Sequence, residues 1–163
     1  MADDALHRLA VSVLERCRAR GLKLATAESC TGGMIAAALT DIAGSSEVVE
    51  RGFVTYSNEA KTEMLGVPAP LIAAHGAVSA EVAAAMASGA TTHAPVDLAV
   101  AVTGIAGPGG ATPGKPVGLV WFGVARRGET ARTELQVFPG DREAVRRAAV
   151  ERALTLLADA AQR

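Results

Sequence analysis

A cluster of reactive side chains lies between residues 26 and 33, immediately ahead of a helical pattern. It holds the Glu28 carboxylate, the Ser29 and Thr31 hydroxyls and the Cys30 thiol. An apolar stretch precedes the cluster, so the sequence predicts a strand, a sharp turn and a helix start. Free N–H groups and the positive end of the helix dipole can hold a phosphate or an oxyanion there. We therefore expect the chemistry of the chain in this segment, with the serine as a potential nucleophile.

This serine needs a base, because a free hydroxyl is a weak nucleophile. The histidines do not obviously supply one, since they fall in the first predicted helix, at a helix end and in a loop. Lys61 is the better candidate, but a lysine pKa begins near ~10.4 and must fall by roughly 3 units, or about 4 kcal/mol. A helix start supplies only about 0.3 to 1 kcal/mol, so burial must supply most of the shift. The competing interpretation is an exposed lysine that pairs with Glu59 or Glu63.

Other groups also have both a chemical and a structural interpretation. Glu28 can act as an acid or orient a substrate amide, or it can be a partly exposed carboxylate at a strand end. Cys30 can be a nucleophile, because helix N-termini depress thiol pKa values, or a buried cysteine without reactivity. Gly32 and Gly33 can simply allow close packing of a helix against a sheet.

Two further segments are candidates for binding an anion. Residues 104–110 are rich in glycine and can cradle a phosphate or form a mobile loop, although no Walker A pattern is present. Arg142 and Arg146 lie one helical turn apart. They can bind an anion together, or they can belong to a solvent-exposed face of the helix. The sequence contains no cluster with metal-ligand spacing.

The elements that position these groups alternate along the chain. The predicted helices cover residues 4–20, 32–42, 58–65, 70–76, 80–92 and 141–160, and the predicted strands cover residues 23–27, 51–56, 97–103, 117–125 and 130–138. This order predicts an α/β fold, a three-layer α/β/α sandwich with a mixed, mostly parallel β-sheet. A single domain over residues 1–163 is expected.

The carboxyl ends of the first three strands are where such a fold binds ligands. Ser29 follows the first predicted strand, and Tyr56 and Lys61 follow the second. Thr103 and Gly104 close the third. If these strands are parallel neighbours, one pocket receives all five residues.

Composition excludes several classes of protein. A chain of 163 residues with a formal net charge of −1 lacks the basic patch of a nucleic-acid binder. No apolar run approaches the roughly 20 residues of a membrane span. Cys17 and Cys30 fall in different predicted elements and the polar start does not resemble a signal peptide, so we expect a cytoplasmic setting. Apolar strands and alanine-rich helix faces are compatible with a homodimer.

An ordered series of motifs closely resembles the CinA C-terminal domain family over essentially the whole chain. The series includes Thr-Ala-Glu-Ser-Cys-Thr-Gly-Gly at residues 26–33 and Gly-Phe-Val-Thr-Tyr-Ser-Asn-Glu-Ala-Lys at residues 52–61. The other matching blocks are residues 44–46, 75–79, 103–108, 115–118 and 140–142. The resemblance is to the stand-alone form of the family. It implies hydrolysis of the carboxamide of nicotinamide mononucleotide (NMN) to nicotinate mononucleotide and ammonia, in pyridine nucleotide recycling, without a metal or organic cofactor.

The resemblance also implies roles for individual residues. Ser29 would be the nucleophile, Lys61 the base, and Tyr56 a neighbour that orients the lysine or the substrate. The residues expected to bind the substrate are Glu28, Thr31, Gly32, Gly33, Ser46, Thr103, Gly104 and Arg142. Among these, backbone N–H groups at residues 31–33 would hold the oxyanion. The 5′-phosphate is assigned to Ser46, Arg142 and residues 104–110.

Two alternatives remain open from the sequence. One is an amide hydrolase that uses the Cys30 thiol. The other is a catalytically silent nucleotide-binding or regulatory domain, linked to competence or DNA damage.

Overall fold

Helices and strands alternate along the computed structural model, which describes residues 2–163. The helices are α1 (Ala2–Ala19), α2 (Met34–Thr40), α3 (Asn58–Leu65), α4 (Ala69–His75), α5 (Ala80–His93) and α6 (Arg142–Ala161). The strands are β1 (Leu24–Glu28), β2 (Val49–Val54), β3 (Leu98–Gly104), β4 (Leu119–Arg126) and β5 (Arg132–Val137), and a 3₁₀ turn covers Ser45–Glu47. Met1, where the polar start begins, lies outside the described residues.

The strands form one sheet in the order β2-β1-β3-β4-β5. β1 pairs in parallel with β2 and β3, whereas β4 pairs antiparallel with β3 and β5. The sheet is therefore mixed and mostly parallel, as predicted, because β4 runs against the other four strands. The prediction that the first three strands are parallel neighbours is confirmed, and their carboxyl ends share one edge of the sheet.

Helices cover both faces of the sheet, which confirms the three-layer sandwich. One core cluster joins α1, α2 and α6 to the sheet, and a second joins α3, α4 and α5 to the opposite face. β3 lies between both clusters and is buried from Leu98 to Thr103, as expected for a central strand. α5 approaches β4 so closely that a Cβ at Gly123 would stand 2.3 Å from the Ala83 carbonyl oxygen.

Local signals set the helix starts. The Ser57 hydroxyl accepts a hydrogen bond from the Ala60 N–H at 3.0 Å and begins α3, as predicted. α2 begins only at Met34, two residues later than predicted, because Gly32 and Gly33 adopt positive φ angles of 58° and 104°. None of the helices within residues 2–163 is long and apolar enough to span a bilayer.

Candidate active site

The shared edge of β1, β2 and β3 opens into a cavity of about 270 Å³. Six of the predicted site residues line it, namely Ser29, Tyr56, Lys61, Thr103, Gly104 and Arg142. The other five do not line it, namely Glu28, Thr31, Gly32, Gly33 and Ser46. The structure therefore brings together residues from three strand ends and from the start of α6.

Ser29 and Lys61 form the central contact of the cavity. Lys61 Nζ lies 3.0 Å from Ser29 Oγ, within hydrogen-bonding distance. Ser29 directly follows β1 and Lys61 lies on α3, so the pairing of β1 with β2 brings these residues together across 32 positions of sequence. Lys61 is 1% exposed and Ser29 is 9% exposed, so the pair is shielded from bulk water. The alternative of an exposed helix lysine is wrong.

The environment of Lys61 favours a neutral amine. Burial lowers the pKa of Lys61, and the nearby Cys30 opposes this shift only in part. No ion pair to Lys61 is formed within residues 2–163. Lys61 Nζ also lies 2.8 Å from the Thr55 carbonyl oxygen and 3.5 Å from that of Ser57. A neutral amine can donate its two hydrogens to these carbonyls and direct its lone pair at the Ser29 hydroxyl.

This burial of Lys61 predicts a specific pH dependence of stability. The folded protein releases the Lys61 proton at a lower pH than the unfolded chain does, because the folded pKa is lowered. Between the two pKa values the unfolded chain binds more protons, so Lys61 makes the free energy of unfolding rise with pH. The rise is up to about 1.4 kcal/mol per pH unit. A Lys61→Met variant lacks this contribution.

Urea unfolding of the wild type and Lys61→Met at several pH values from about 7 up to the unfolded lysine pKa of about 10.4 measures the effect. The free energy of unfolding of the wild type should rise relative to that of the variant as the pH increases. The Cys17 thiol titrates in both proteins and cancels in the difference, and a Cys30→Ala background removes the thiol that is coupled to Lys61. A difference that stays constant with pH would contradict a lowered Lys61 pKa.

Glu28 is directed away from the cavity. Its buried carboxylate accepts hydrogen bonds from the Thr31 hydroxyl at 2.7 Å and from the N–H groups of Ile35 and Ala36 at 2.9 and 3.1 Å. A carboxylate at a helix N-terminus satisfies free donors and the helix dipole. Both of its oxygens and the Thr31 hydroxyl are thus engaged at the start of α2. The expectations that Glu28 is partly exposed, or that its carboxylate faces the substrate, are wrong.

The turn after Ser29 has only part of the predicted set of free N–H groups. The Gly32 N–H donates to the Ser29 carbonyl at 3.0 Å, so it is unavailable to an oxyanion. Within the described chain, the N–H groups of Cys30 and Thr31 donate to no backbone carbonyl, and the Cys30 N–H lies close to its own thiol. Cys30 lines the cavity, and its N–H is therefore the best placed donor of the turn.

The Cys30 thiol is poorly suited to nucleophilic attack. Burial raises the pKa of Cys30 to about 11, so the thiol is protonated near neutral pH. The thiol also belongs to the core cluster between α2 and α6. An exposed helix start would lower the pKa of a thiol, but the short α2 and the buried position of Cys30 do not produce this effect.

Tyr56 and Arg142 form the rim of the cavity. Tyr56 is 63% exposed, and its hydroxyl accepts a hydrogen bond from Arg142 at 3.1 Å. Arg142 also donates to the Gly107 carbonyl at 2.9 Å. Arg142 thus joins the residues after β2 to the loop after β3. In this geometry Tyr56 contacts Arg142 rather than Lys61.

The loop after β3 forms another wall. Thr103 is buried, and its hydroxyl donates to the Ala77 carbonyl at 2.8 Å, which holds the segment before α5 against β3. Gly107, Gly109 and Gly110 line the cavity and expose backbone in a region where a phosphate can approach closely. Their N–H groups have no acceptor in the described chain.

Ser46 lies at the opposite edge of the sheet. It belongs to the 3₁₀ turn that precedes β2, and the Lys23 side chain contacts Glu47 of this turn beside the start of β1. The full length of β1 therefore separates Ser46 from the Ser29 cavity. Ser46 and residues 104–110 of the same chain therefore cannot hold one phosphate, and the prediction that they do is wrong.

Some site features have weak sequence signals. The Thr55 carbonyl that holds Lys61 is a backbone group, and nothing in a side-chain pattern identifies it. Ala77 and Val78 line the cavity, and only the motif at residues 75–79 indicated their segment. No group of three or more potential metal-ligating side chains occurs among the residues that the structure describes.

Known proteins resemble the chain in both sequence and structure. A model of the CinA C-terminal domain matches residues 6–161. The nicotinamide-nucleotide amidohydrolase PncC of Escherichia coli (strain K12) is 52% identical over 157 residues, which are 96% of this chain and 95% of that protein. A CinA-like protein of Akkermansia muciniphila is 56% identical over 139 residues, which are 85% of this chain. This alignment spans only 34% of that longer protein.

Solved structures agree with this grouping. The competence/damage inducible protein CihA of Agrobacterium tumefaciens superimposes with a TM-score of 0.93 at 46% identity, covering 98% of this chain and 96% of that one. A CinA superfamily protein of Klebsiella pneumoniae superimposes with a TM-score of 0.92 at 42% identity, covering 96% and 98%. The chain therefore belongs to the CinA C-terminal domain family.

Proposed function

We propose that this protein hydrolyses the carboxamide of NMN to nicotinate mononucleotide and ammonia by a Ser-Lys mechanism. The observation that carries this proposal is the 3.0 Å contact between Lys61 Nζ and Ser29 Oγ in a shielded cavity. The substrate is suggested by the near full-length similarity to E. coli PncC. A serine with a neutral amine beside it is suited to attack on an amide carbon.

In the first step the neutral Lys61 amine takes the Ser29 proton while Oγ attacks the amide carbon. The carbonyl π bond opens, and the oxygen becomes an oxyanion in a tetrahedral intermediate. The Cys30 N–H, with the Thr31 N–H beside it, is the proposed donor to this oxyanion. Fixed donors aimed at developing charge supply a large share of the rate enhancement in such reactions.

In the second step the Lys61 ammonium returns its proton to the amide nitrogen. The C–N bond breaks, ammonia leaves, and an ester joins the nicotinoyl carbon to Ser29 Oγ. Lys61, again neutral, then takes a proton from water as the water oxygen attacks the ester. Collapse of the second intermediate returns that proton to Ser29 and releases the acid product.

The substrate's phosphate is assigned to the rim of the cavity. Arg142 provides a guanidinium group there, and the backbone at Gly107, Gly109 and Gly110 provides N–H groups. Both lie at the same edge of the sheet as Ser29. This arrangement favours a mononucleotide over free nicotinamide, because only the nucleotide carries an anion that reaches these donors.

Ammonia release from NMN, nicotinamide riboside and nicotinamide tests the proposed substrate. NMN should be hydrolysed with the highest kcat/KM, because only NMN carries the phosphate. An equal kcat/KM for the riboside would contradict the phosphate assignment. Absence of ammonia from all three compounds would contradict the proposed function.

A Cys30→Ala variant separates the serine mechanism from the thiol alternative. Its kcat should stay within about threefold of the wild type, because the protonated, buried thiol takes no part in the proposed steps. Ammonia release and resistance to iodoacetamide are measured for both proteins. A loss of kcat in a folded Cys30→Ala protein would favour the thiol mechanism.

The cellular context is also part of the proposal. Conversion of an amide nucleotide to its acid suits a role in pyridine nucleotide recycling. Two free, buried cysteines suit a cytoplasmic setting. Exposed apolar side chains at Val54, Met64, Leu135 and Val137 make a homodimer a reasonable expectation.

A further inference from the structure

Arg146 of α6 contacts the turn that follows Ser29. Its Nε donates to the Cys30 carbonyl at 3.0 Å, and a terminal nitrogen lies 3.4 Å from the Thr31 carbonyl oxygen. The same terminal nitrogen would stand 3.3 Å from a Cβ at Gly32, so the guanidinium packs directly on the turn. No ion pair to Arg146 is formed in the described part of the chain, and its charge is directed at these carbonyls.

The Arg146 contact fixes the orientation of the peptide in the middle of this turn. The Gly32 N–H closes the turn on the Ser29 carbonyl at 3.0 Å, which makes Cys30 and Thr31 its central residues. Neither has a positive φ, so the turn is not of type II. The Cys30–Thr31 peptide is trans, and its C=O and N–H point in opposite directions. With the carbonyl held by Arg146, the Thr31 N–H points away from α6.

Arg146 does not itself line the cavity around Ser29. It lines an adjoining cavity beside α6, which shares Ala106 and Arg142 with the Ser29 cavity. Arg146 donates its hydrogen bonds to carbonyls of the turn, and it therefore acts on the turn. Donation from a charged guanidinium to the Cys30 carbonyl also polarises the Cys30–Thr31 peptide, which strengthens the Thr31 N–H as a donor.

We propose that Arg146 is a positioning residue that fixes the backbone of the turn through the Cys30 and Thr31 carbonyls, so that the Cys30 N–H at the cavity can stabilise the oxyanion. This inference rests on the proposed hydrolysis and deepens it. The sequence allowed Arg146 to be part of an anion clamp. In the structure its hydrogen-bond acceptors are backbone carbonyls instead. Arg142, one turn earlier, holds the Gly107 carbonyl in the same way.

An Arg146→Gln variant should lower kcat by about 10- to 100-fold while KM for NMN changes by less than about threefold. This split is expected because the oxyanion forms only after the substrate has bound. Arg146→Lys keeps the charge but loses the planar donor pair, and its kcat should fall between those of Arg146→Gln and the wild type. Arg147→Gln is the matched control, and its kcat should equal that of the wild type.

A second readout does not depend on NMN. In the reaction with an alkyl fluorophosphonate, Ser29 Oγ bonds to phosphorus, fluoride leaves, and Lys61 takes the serine proton. The phosphoryl oxygen of the adduct occupies the place of the oxyanion. Labelling of Ser29 should therefore be about 10- to 100-fold slower in Arg146→Gln. If the wild type is labelled but does not hydrolyse NMN, the proposed substrate fails and the labelling rates still test Arg146.

Several results would overturn the positioning role. These are a kcat and a labelling rate of Arg146→Gln within threefold of the wild type, a raised KM with unchanged kcat, or an equal loss in Arg147→Gln. If Arg146→Gln does not fold, Arg146→Lys decides the question, and wild-type kcat in that variant overturns the role. A wild type that neither hydrolyses NMN nor is labelled overturns both proposals.

Discussion

A Ser29→Ala variant is expected to bind NMN without hydrolysing it, with kcat lowered by at least about 10⁴-fold. The substitution removes the attacking oxygen but leaves the rim of the cavity unchanged. In the described chain, the Ser29 hydroxyl contacts only Lys61, so its loss frees no other buried polar group. Calorimetry should show one NMN bound per chain, and circular dichroism should show a folded protein.

Ser45→Ala is the matched control for this experiment. Ser45 is also a buried serine, but it lies in the 3₁₀ turn at the opposite edge of the sheet. Its replacement should leave kcat unchanged. Hydrolysis by a folded Ser29→Ala protein at more than a hundredth of the wild-type rate would exclude Ser29 as nucleophile. Binding without hydrolysis by the wild type itself would favour the silent regulatory domain.

A Lys61→Met variant is expected to lose about 10²- to 10⁴-fold in kcat, the usual contribution of a general base. Methionine fills a similar volume but cannot take the Ser29 proton. Lys61→Arg should not restore activity, because a guanidinium stays protonated and does not act as a base. Steady-state ammonia release at several NMN concentrations measures kcat and KM for both variants.

Lys23→Met is the control for loss of a lysine. The Lys23 amine contacts the Glu47 carbonyl at 3.3 Å, far from the cavity, and its removal should leave kcat unchanged. Substantial activity in Lys61→Arg would contradict the role of a neutral amine. It would indicate instead that Lys61 acts through its charge.

Much of this architecture could be predicted from residue patterns. The predicted starts of α3 at residue 58 and of α5 at residue 80 are confirmed, and the Ser57 and Ser79 hydroxyls cap these helices. If β1, β2 and β3 are parallel neighbours, the residues that follow these strands must lie at the same edge of the sheet. That inference requires no knowledge of side-chain positions. The burial that Lys61 needs was also predictable, because a helix dipole alone is too weak to lower its pKa sufficiently.

Other features could not be predicted, for physical reasons. β1 is buried on both faces, so no alternation of polar and apolar residues shows where Glu28 points. The direction of Arg146 depends on how α6 packs against the turn, which is tertiary information. Ser46 is different, because its position could have been predicted. A residue just before a parallel strand lies at the edge of the sheet formed by the amino ends of the strands, whereas the cavity lies at their carboxyl ends.

Ammonia release from NMN by the wild type and Ser29→Ala, assayed side by side at equal protein concentration, is the decisive test of Ser29 as the nucleophile of an NMN amidohydrolase. We expect steady release by the wild type and a rate at least about 10⁴-fold lower for the variant. Comparable rates in the two proteins, or no release by a folded wild type, would contradict this expectation.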